Sequence, residues 1–344
     1  MAQKAYSWGA RVLHHIALSR AVAEVSFDLE KSVFSIDPST ADDGQHVFVA
    51  GLARAGTTIL MRNLYETGAF CSLSYRDMPF VTAPNLWAKL TAGARTTKAA
   101  EQRAHGDGIL VDFDSPEALE EVFWRVHCGD DYILSDMLVP MTFDAEVASA
   151  FRSYVAAIMQ AGGAKRYLSK NNNSILRLPA LAKCLQDASF IVPFRSPLQH
   201  AMSLQRQHET FSAMHGGDAF SLRYMQWLVH HEFGLDHRPF VFKEDELVAL
   251  NGDSPNRLNY WLRLWLHVHR HLLDTAPEKS LLVAYERLCT QTEIVWSRLC
   301  DHLNLERATV PAFDLRETKV DADYDLDLNE QCQDCYDRLL SRSL

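Results

Sequence analysis

Apolar side chains at Val12, Leu13, Ile16, Leu18, Val22, Val25 and Phe27 recur with helical spacing and predict one amphipathic helix over residues 8–34, packed on the main body of the protein. After a DPSTADDG loop, HVFVAG is a short apolar strand. It enters the glycine-bearing turn GLARAGTT, after which ILMRNLYETG regains helical spacing and stops at Gly68. A second unit of the same kind runs from the apolar FIVPFR (190–195) into PLQHAMSLQRQHE, with Ser196 and Pro197 as cap and first-turn residues. SLLVAYERL (280–288) reads as a third strand, between the helical stretches NRLNYWLRLWLHVHRHLL and TEIVWSRLCDHL. Three buried strands separated by helices predict a parallel sheet covered on both faces.

The segment from Tyr75 to Gly163 lacks this rhythm. A proline-punctuated loop and a polar stretch lead to helices starting near Ser115-Pro116-Glu117 and near Asp144, so 75–163 is expected to be a mostly helical cap where substrate selection resides. The acidic DADYDLDLNE stretch is expected to be a solvated loop before a terminal helix. The fold class is thus α/β, three layers of α/β/α with a central parallel sheet and a helical cap insertion. Although 344 residues allow one or two domains, the elements read as a single domain over 1–344. Its parts are an N-terminal helical segment (1–35), the cap (75–163) and a C-terminal half (164–344).

Composition narrows the chemistry. A formal charge of −10 argues against a nucleic-acid partner, so any bound anion must meet a local pocket. The seven cysteines (71, 128, 184, 289, 300, 332, 335) are scattered without the paired spacing of a disulfide framework or zinc ribbon, which suits a reducing compartment. With no apolar run long enough for a transmembrane segment or signal peptide, the expectation is a soluble, cytoplasmic protein.

Gly51-Leu52-Ala53-Arg54-Ala55-Gly56-Thr57-Thr58 has the two glycines of a phosphate-binding loop, after a strand and before a helix. A nucleoside-triphosphate enzyme needs Lys at position 57, to reach the β- and γ-phosphates. Here Thr57 and Thr58 follow Gly56 and the cation stands at Arg54. Such a loop suits a 5′-phosphate or phosphosulfate held by helix N-terminal amides, two hydroxyls and one guanidinium fork.

The loop resembles that of the sulfotransferase family, which uses 3′-phosphoadenosine 5′-phosphosulfate (PAPS) and carries G-x-P-R-S-G-T-T after its first strand. Ala53 stands for the usual Pro and Ala55 for the usual Ser. FIVPFRSPLQHAMSLQRQ resembles the family's 3′-phosphate segment, with Arg195, Pro197 and, eight residues after the Arg, Ser203. LSKNNNSILRLPAL places Lys170 25 residues before Arg195, where the family commonly has a Lys, although Asn171 to Asn173 depart from its usual turn. LLVAYERL resembles the family's v-x-Y-E-x-L strand, in which Tyr285 is expected to pack. The resemblance spans about residues 46–300 and leaves the cap unmatched.

The resemblance implies a PAPS-dependent enzyme in which Arg54, Ala55, Gly56, Thr57 and Thr58 hold the 5′-phosphosulfate and Arg195 with Ser203 the 3′-phosphate. Arg54 and Lys170 then stabilise charge in transfer, and no metal is required. The general base is expected from segments after the phosphate loop, with Asp77 in SYRDMPF and His105 in RAHGDG as the two candidates. Near Asp77, tyrosylprotein sulfotransferases have an acidic residue and an Arg, and Arg76 matches the latter; Asp77 otherwise caps or pairs locally. Glu120 and Glu121 are third choices, expected to face solvent or Arg125. His267, His269 and His271 read as amphipathic helix surface, Cys332 and Cys335 as structural, and Trp261 and Trp265 as core. The acceptor is expected to be a small molecule, lipid or other hydroxyl compound; oligomeric state has no signal. Rival readings are a kinase-like phosphotransferase and a nucleotide-binding relative without transfer activity.

Overall fold

The computed structural model describes residues 7–92, 101–102, 110–111, 119–306, 309–315, 317–319 and 322–344. The N-terminal segment is two helices, α1 (Trp8–Ala17) and α2 (Arg20–Phe34), where one had been predicted. Periodicity runs on through the break, but Ser19 is extended (φ −67°, ψ 146°) and its hydroxyl donates to the Ile16 carbonyl, which ends α1. The Glu30 carboxylate on α2 is fully buried and accepts from the backbone N–H groups of Asn85 and Leu86, capping α4 (Pro84–Thr91).

Strands β1 (Val47–Val49), β4 (Leu168–Lys170), β5 (Ser189–Phe194) and β6 (Leu281–Ala284) form, among the described residues, a parallel sheet in the order β4-β1-β5-β6. Between β1 and β4 lie α3 (Thr57–Glu66), α4, a two-residue antiparallel pair β2 (Glu101–Gln102) and β3 (Leu110–Val111), α5 (Glu121–Tyr132) and α6 (Ala145–Gly162). Asp144 caps α6 as predicted, by accepting from the Val147 N–H. The other predicted helix start, at 115–117, lies outside the described residues, and α5 begins at Glu121.

Downstream come α7 (Leu178–Cys184), α8 (Pro197–Gly217), α9 (Ala219–Trp227), α10 (Glu244–Asn251) and α11 (Leu258–Thr275). After β6 follow α12 (Tyr285–Thr290), α13 (Thr292–His302) and α14 (Leu326–Ser341). The side chains alternate as parallel strands require. Val47, Val49, Ile191, Leu281 and Val283 pack with Leu60, Leu64 and Trp296 of α3 and α13 on one face. Phe48, Phe190, Val192 and Leu282 pack with α6, α8, α11 and α14 on the other, where Phe48 stacks on Phe190 with centroids 5.5 Å apart. The α/β class and three-layer architecture follow from this alternation.

Three further segments differ from the sequence reading. LSK was not read as a strand, because three residues with one apolar side chain carry no period; its pairing with β1 makes it β4. The strand predicted over 280–288 ends at Ala284, and Tyr285 opens α12. There the Glu286 carboxylate reaches back to accept from the Ser196 N–H at 2.9 Å, capping α8, and its other oxygen accepts from Tyr336 of α14. The acidic stretch near the C-terminus is half helix, since Asp325 caps α14 through the Leu328 N–H and draws 326–330 into it. No described helix is long and apolar enough to cross a membrane.

Buried imidazoles make the fold sensitive to acid. His269 stacks on Trp265 and donates to its carbonyl at 2.7 Å; His237 donates to the His231 carbonyl and accepts from the Tyr260 hydroxyl. Burial lowers both to about 4, below an ordinary value of 6.5. Between those limits the unfolded chain binds protons that the native state refuses. Stability is therefore intact above pH 6.5 and falls toward pH 4, by on the order of 3 kcal/mol for each ring. Urea midpoints measured from pH 7 to pH 4 should decline across that window, less steeply in His269→Gln.

Candidate active site

Each strand of the parallel sheet delivers a functional residue at its carboxyl end, the edge at which open α/β sheets bind ligands. β1 runs into the glycine loop, β4 ends on Lys170, β5 leads to Arg195 and β6 to Tyr285. Parallel pairing aligns these ends, with Val49 opposite both Lys170 and Ile191. A cleft of about 500 Å³ opens there, lined by Arg54, Gly56, Thr57, Thr58, Lys170, Arg195 and Ser203. Arg54 and Ser203, 149 positions apart in sequence, thus meet in one cavity.

The loop is held in an unusual shape. Gly51 lies so close to β5 that a Cβ there would sit 2.7 Å from the Pro193 carbonyl oxygen. Gly56 is left-handed (φ 87°) as the cap of α3, and a Cβ would press to 2.8 Å from the Tyr285 ring. Arg54 is also left-handed (φ 73°), a conformation costly for a side chain other than glycine. His200 of α8 braces the turn, its Nε2 donating to the Ala53 carbonyl at 2.8 Å; burial holds this ring well below the ordinary histidine range, neutral and fit to donate. In the first turn of α3 the backbone N–H groups lack intrahelical acceptors and form an anion cradle beside the Thr57 and Thr58 hydroxyls.

The second cationic grip touches the first. Arg54 Nε donates to Ser203 Oγ at 3.2 Å, joining the loop to the helix that follows Arg195. Arg195 is 8% exposed, its guanidinium carbon 5.0 Å from the Tyr285 ring centroid, and its carbonyl accepts from Trp265 Nε1. Tyr285, expected only to pack, also lines the cleft and donates to the Asp314 carbonyl at 2.7 Å. The Gln199 side-chain amide donates to the Thr318 carbonyl and accepts from the Thr318 N–H, and Ala312, Phe313, Asp314 and Thr318 form one wall of the cleft beyond the sequence motifs.

Lys170 is 6% exposed and stands on a rigid turn. Each of the three asparagines that depart from the family pattern ties this turn to a different neighbour. Asn171 caps the following 3-10 turn and donates to Glu121, Asn172 donates to Glu232 at 2.8 Å, and Asn173 donates to the Val229 carbonyl at 3.1 Å. Glu120 and Glu121 do not face solvent or Arg125 as predicted; each is 2% exposed. Glu121 pairs with the fully buried Arg177 at 2.6 Å, and Glu120 accepts from Trp124 and Tyr167. Arg177, 56 residues away, supplies the countercharge that makes this burial possible. Burial raises the Glu120 carboxyl above its ordinary value, against the pull of Ser169, Trp124, Tyr167 and Arg177.

The two candidate bases fare differently. Asp77 sits in a 3-10 turn, where its carboxylate accepts from the Ser74 N–H at 2.7 Å and from the Ser74 hydroxyl; it does not line the cleft. His105 lies outside the described residues. None of the described residues of 75–163 lines the cleft either; α6 instead lays Phe151 against Phe48 under the sheet. The second half of α8 and the 230–233 segment wall the cleft on that side.

That segment brings an acid–base pair that the sequence reading missed. His230 and Glu232 line the cleft with Nδ1 and Oε2 3.5 Å apart. Burial raises the Glu232 carboxyl, but His230, Asn172 and Lys170 outweigh it and hold the group below the ordinary carboxylate range. The residue before the pair, Val229, is buried at φ 54°, a strained backbone for a β-branched side chain. Three histidines and a glutamate in HHEFGLDH were the available signal. Of the residues set aside, Trp261, Trp265, Cys332 and Cys335 are buried core, and His271 stacks on Phe242.

A family model described as "Sulfotransferase family" matches residues 46–309. No curated protein matches the chain. Among solved structures, a sulfotransferase of Mycobacterium tuberculosis is 14% identical with a TM-score of 0.49, over 84% of this chain and 75% of that one. A sulfotransferase of Mycobacterium avium is 14% identical with a TM-score of 0.47, over 98% of this chain and 79% of that one.

Proposed function

The chain belongs to the sulfotransferase family, and from that premise we propose that it moves the sulfuryl group of PAPS to a hydroxyl of a small-molecule or lipid acceptor, releasing adenosine 3′,5′-bisphosphate. The observation that carries this reading is the Arg54–Ser203 contact inside a cleft that also holds Arg195 and Lys170. The residues fit a doubly anionic nucleotide. Arg54, Lys170 and Arg195 line the same cleft as Ser203, while Thr57 and Thr58 offer hydroxyls, and about 500 Å³ falls in the usual range of ligand pockets, roughly 300–1,000 Å³. A lysine at position 57 would favour a triphosphate; threonine does not.

Bound PAPS supplies a sulfuryl group whose bond to the 5′-phosphate oxygen breaks as a new S–O bond forms to the acceptor. Arg54 and the α3 amides stabilise the charge that gathers on the departing phosphate, and Lys170 holds the sulfuryl oxygens. We assign the general base to His230, with Nδ1 turned to Glu232 and Nε2 taking the acceptor's proton. A carboxylate held below its ordinary range is a weak base but a strong partner for an imidazolium, which fits Glu232 to orient His230. Asn172 fixes Glu232 from the other side, tying the base to the Lys170 turn.

Purified protein incubated with sulfur-labelled PAPS and a panel of alcohols and phenols should release adenosine 3′,5′-bisphosphate in step with labelled product and without added metal. Turnover with ATP and Mg²⁺ in its place would overturn the assignment, and binding without transfer to any acceptor would favour a nucleotide-binding relative.

A further inference from the structure

We propose that a second cavity, separate from the cleft, binds a small organic oxyanion carrying a phosphate or carboxylate group. It opens over about 520 Å³ where the α1–α2 junction, Arg125 and Ile133 on and just past α5, α9 and the 231–238 segment meet. Arg20, Arg125, Arg223 and Arg238 all line it, in a chain whose formal charge is −10. Among the described lining residues Asp236 is the only carboxylate; Asp130, outside the lining, pairs with Arg20 at 2.7 Å. Glu24 and Asp131 also act on Arg20 from outside the lining, so the acidic groups gather at Arg20 and at Asp236.

Of the two inner arginines, Arg125 has no acidic partner among the described residues, and Arg238 has only a shared one. Arg125 donates to the Leu18 carbonyl and Arg238 to the Leu134 carbonyl at 2.7 Å, both neutral acceptors. Arg238 also touches Asp236, whose carboxylate is shared with His231 and Gln226. Arg125 Nε and Arg238 Nε are buried with no hydrogen-bond partner among the described residues. Burial, with repulsion from Arg20 and Arg223, lowers the Arg125 pKa, as expected where cations converge without a matching anion.

Gathering like charges around one cavity disfavours the fold unless an anion repays the repulsion, and planar guanidinium forks match the oxygens of phosphate and carboxylate. The cavity exceeds the size of an inorganic ion. Buried Trp227, against which His15 packs edge-on with centroids 5.4 Å apart, gives an aromatic wall for an organic body. His231 lines this cavity while its neighbours His230 and Glu232 line the cleft, so the two sites share a wall. The inference rests on these residues and not on the identity of the nucleotide.

The full chain at low salt should be titrated calorimetrically with phenyl phosphate and, separately, with benzoate, which tells a phosphate site from a carboxylate site. One probe should bind with one-to-one stoichiometry. Arg20→Ala/Arg223→Ala, which removes two exposed side chains, should weaken it about tenfold or more without changing the melting temperature. Arg195→Met, which disables the cleft, should leave the affinity unchanged. Failure of both probes to bind at millimolar concentration, an affinity indifferent to the Arg20/Arg223 replacement, or one lost with Arg195→Met would each overturn the proposal.

Discussion

Replacing Arg54 with glutamine should lower kcat for sulfuryl transfer by about 10²–10³-fold, the cost of removing one donor aimed at charge that develops in the transition state. Glutamine suffers the same left-handed backbone as arginine at φ 73°, so the comparison isolates the side chain. The guanidinium bridges from the loop to Ser203, and its loss removes that tie while His200 still joins α8 to the loop. Affinity for adenosine 3′,5′-bisphosphate should fall less than kcat, because Arg195 and the α3 amides remain. Steady-state kinetics beside direct nucleotide binding separate the two effects. Equal losses in both would reduce Arg54 to a binding group.

His230→Gln should cost about 10²–10⁴-fold in kcat, the span of general acid–base catalysis, with nucleotide affinity unchanged. Glu232→Gln keeps the shape and the acceptor oxygen for Asn172 but removes the charge facing the imidazole, and should cost about 10–100-fold. The double variant should be little worse than His230→Gln, since a positioning carboxylate acts only through its ring. A pH–rate profile adds a second readout. The acid limb should vanish in His230→Gln. An unchanged profile in that variant would return the search for the base to Asp77 and His105.

The parts of this protein that were legible in its sequence are those set by local pattern. Apolar runs at 47–49, 189–194 and 281–284 carry strand character, and their nearly uninterrupted burial confirms that both sheet faces are covered. The glycine loop is readable because a turn this tight accepts few residues, as the close approach of Gly51 to Pro193 shows. What was illegible depends on distant partners. Glu120 and Glu121 look like a solvated helix start until Arg177 and Tyr167 arrive from another part of the chain. β4 has no period of its own and is a strand because β1 pairs with it. His230 and Glu232 lie in an irregular segment whose only clue is composition. The fold carries them to Lys170 through Asn172, a residue that looked like a departure from the motif.

The two-grip arrangement makes one thermodynamic demand, that both phosphates of the nucleotide be felt. Calorimetric titration of the purified protein with adenosine 3′,5′-bisphosphate and with adenosine 5′-monophosphate should show the bisphosphate about 10–100-fold tighter, the worth of a charge-assisted contact to the second phosphate. Arg195→Met should abolish that preference. Equal affinity for the two nucleotides in the unaltered protein, or a preference that survives the loss of Arg195, would contradict the account.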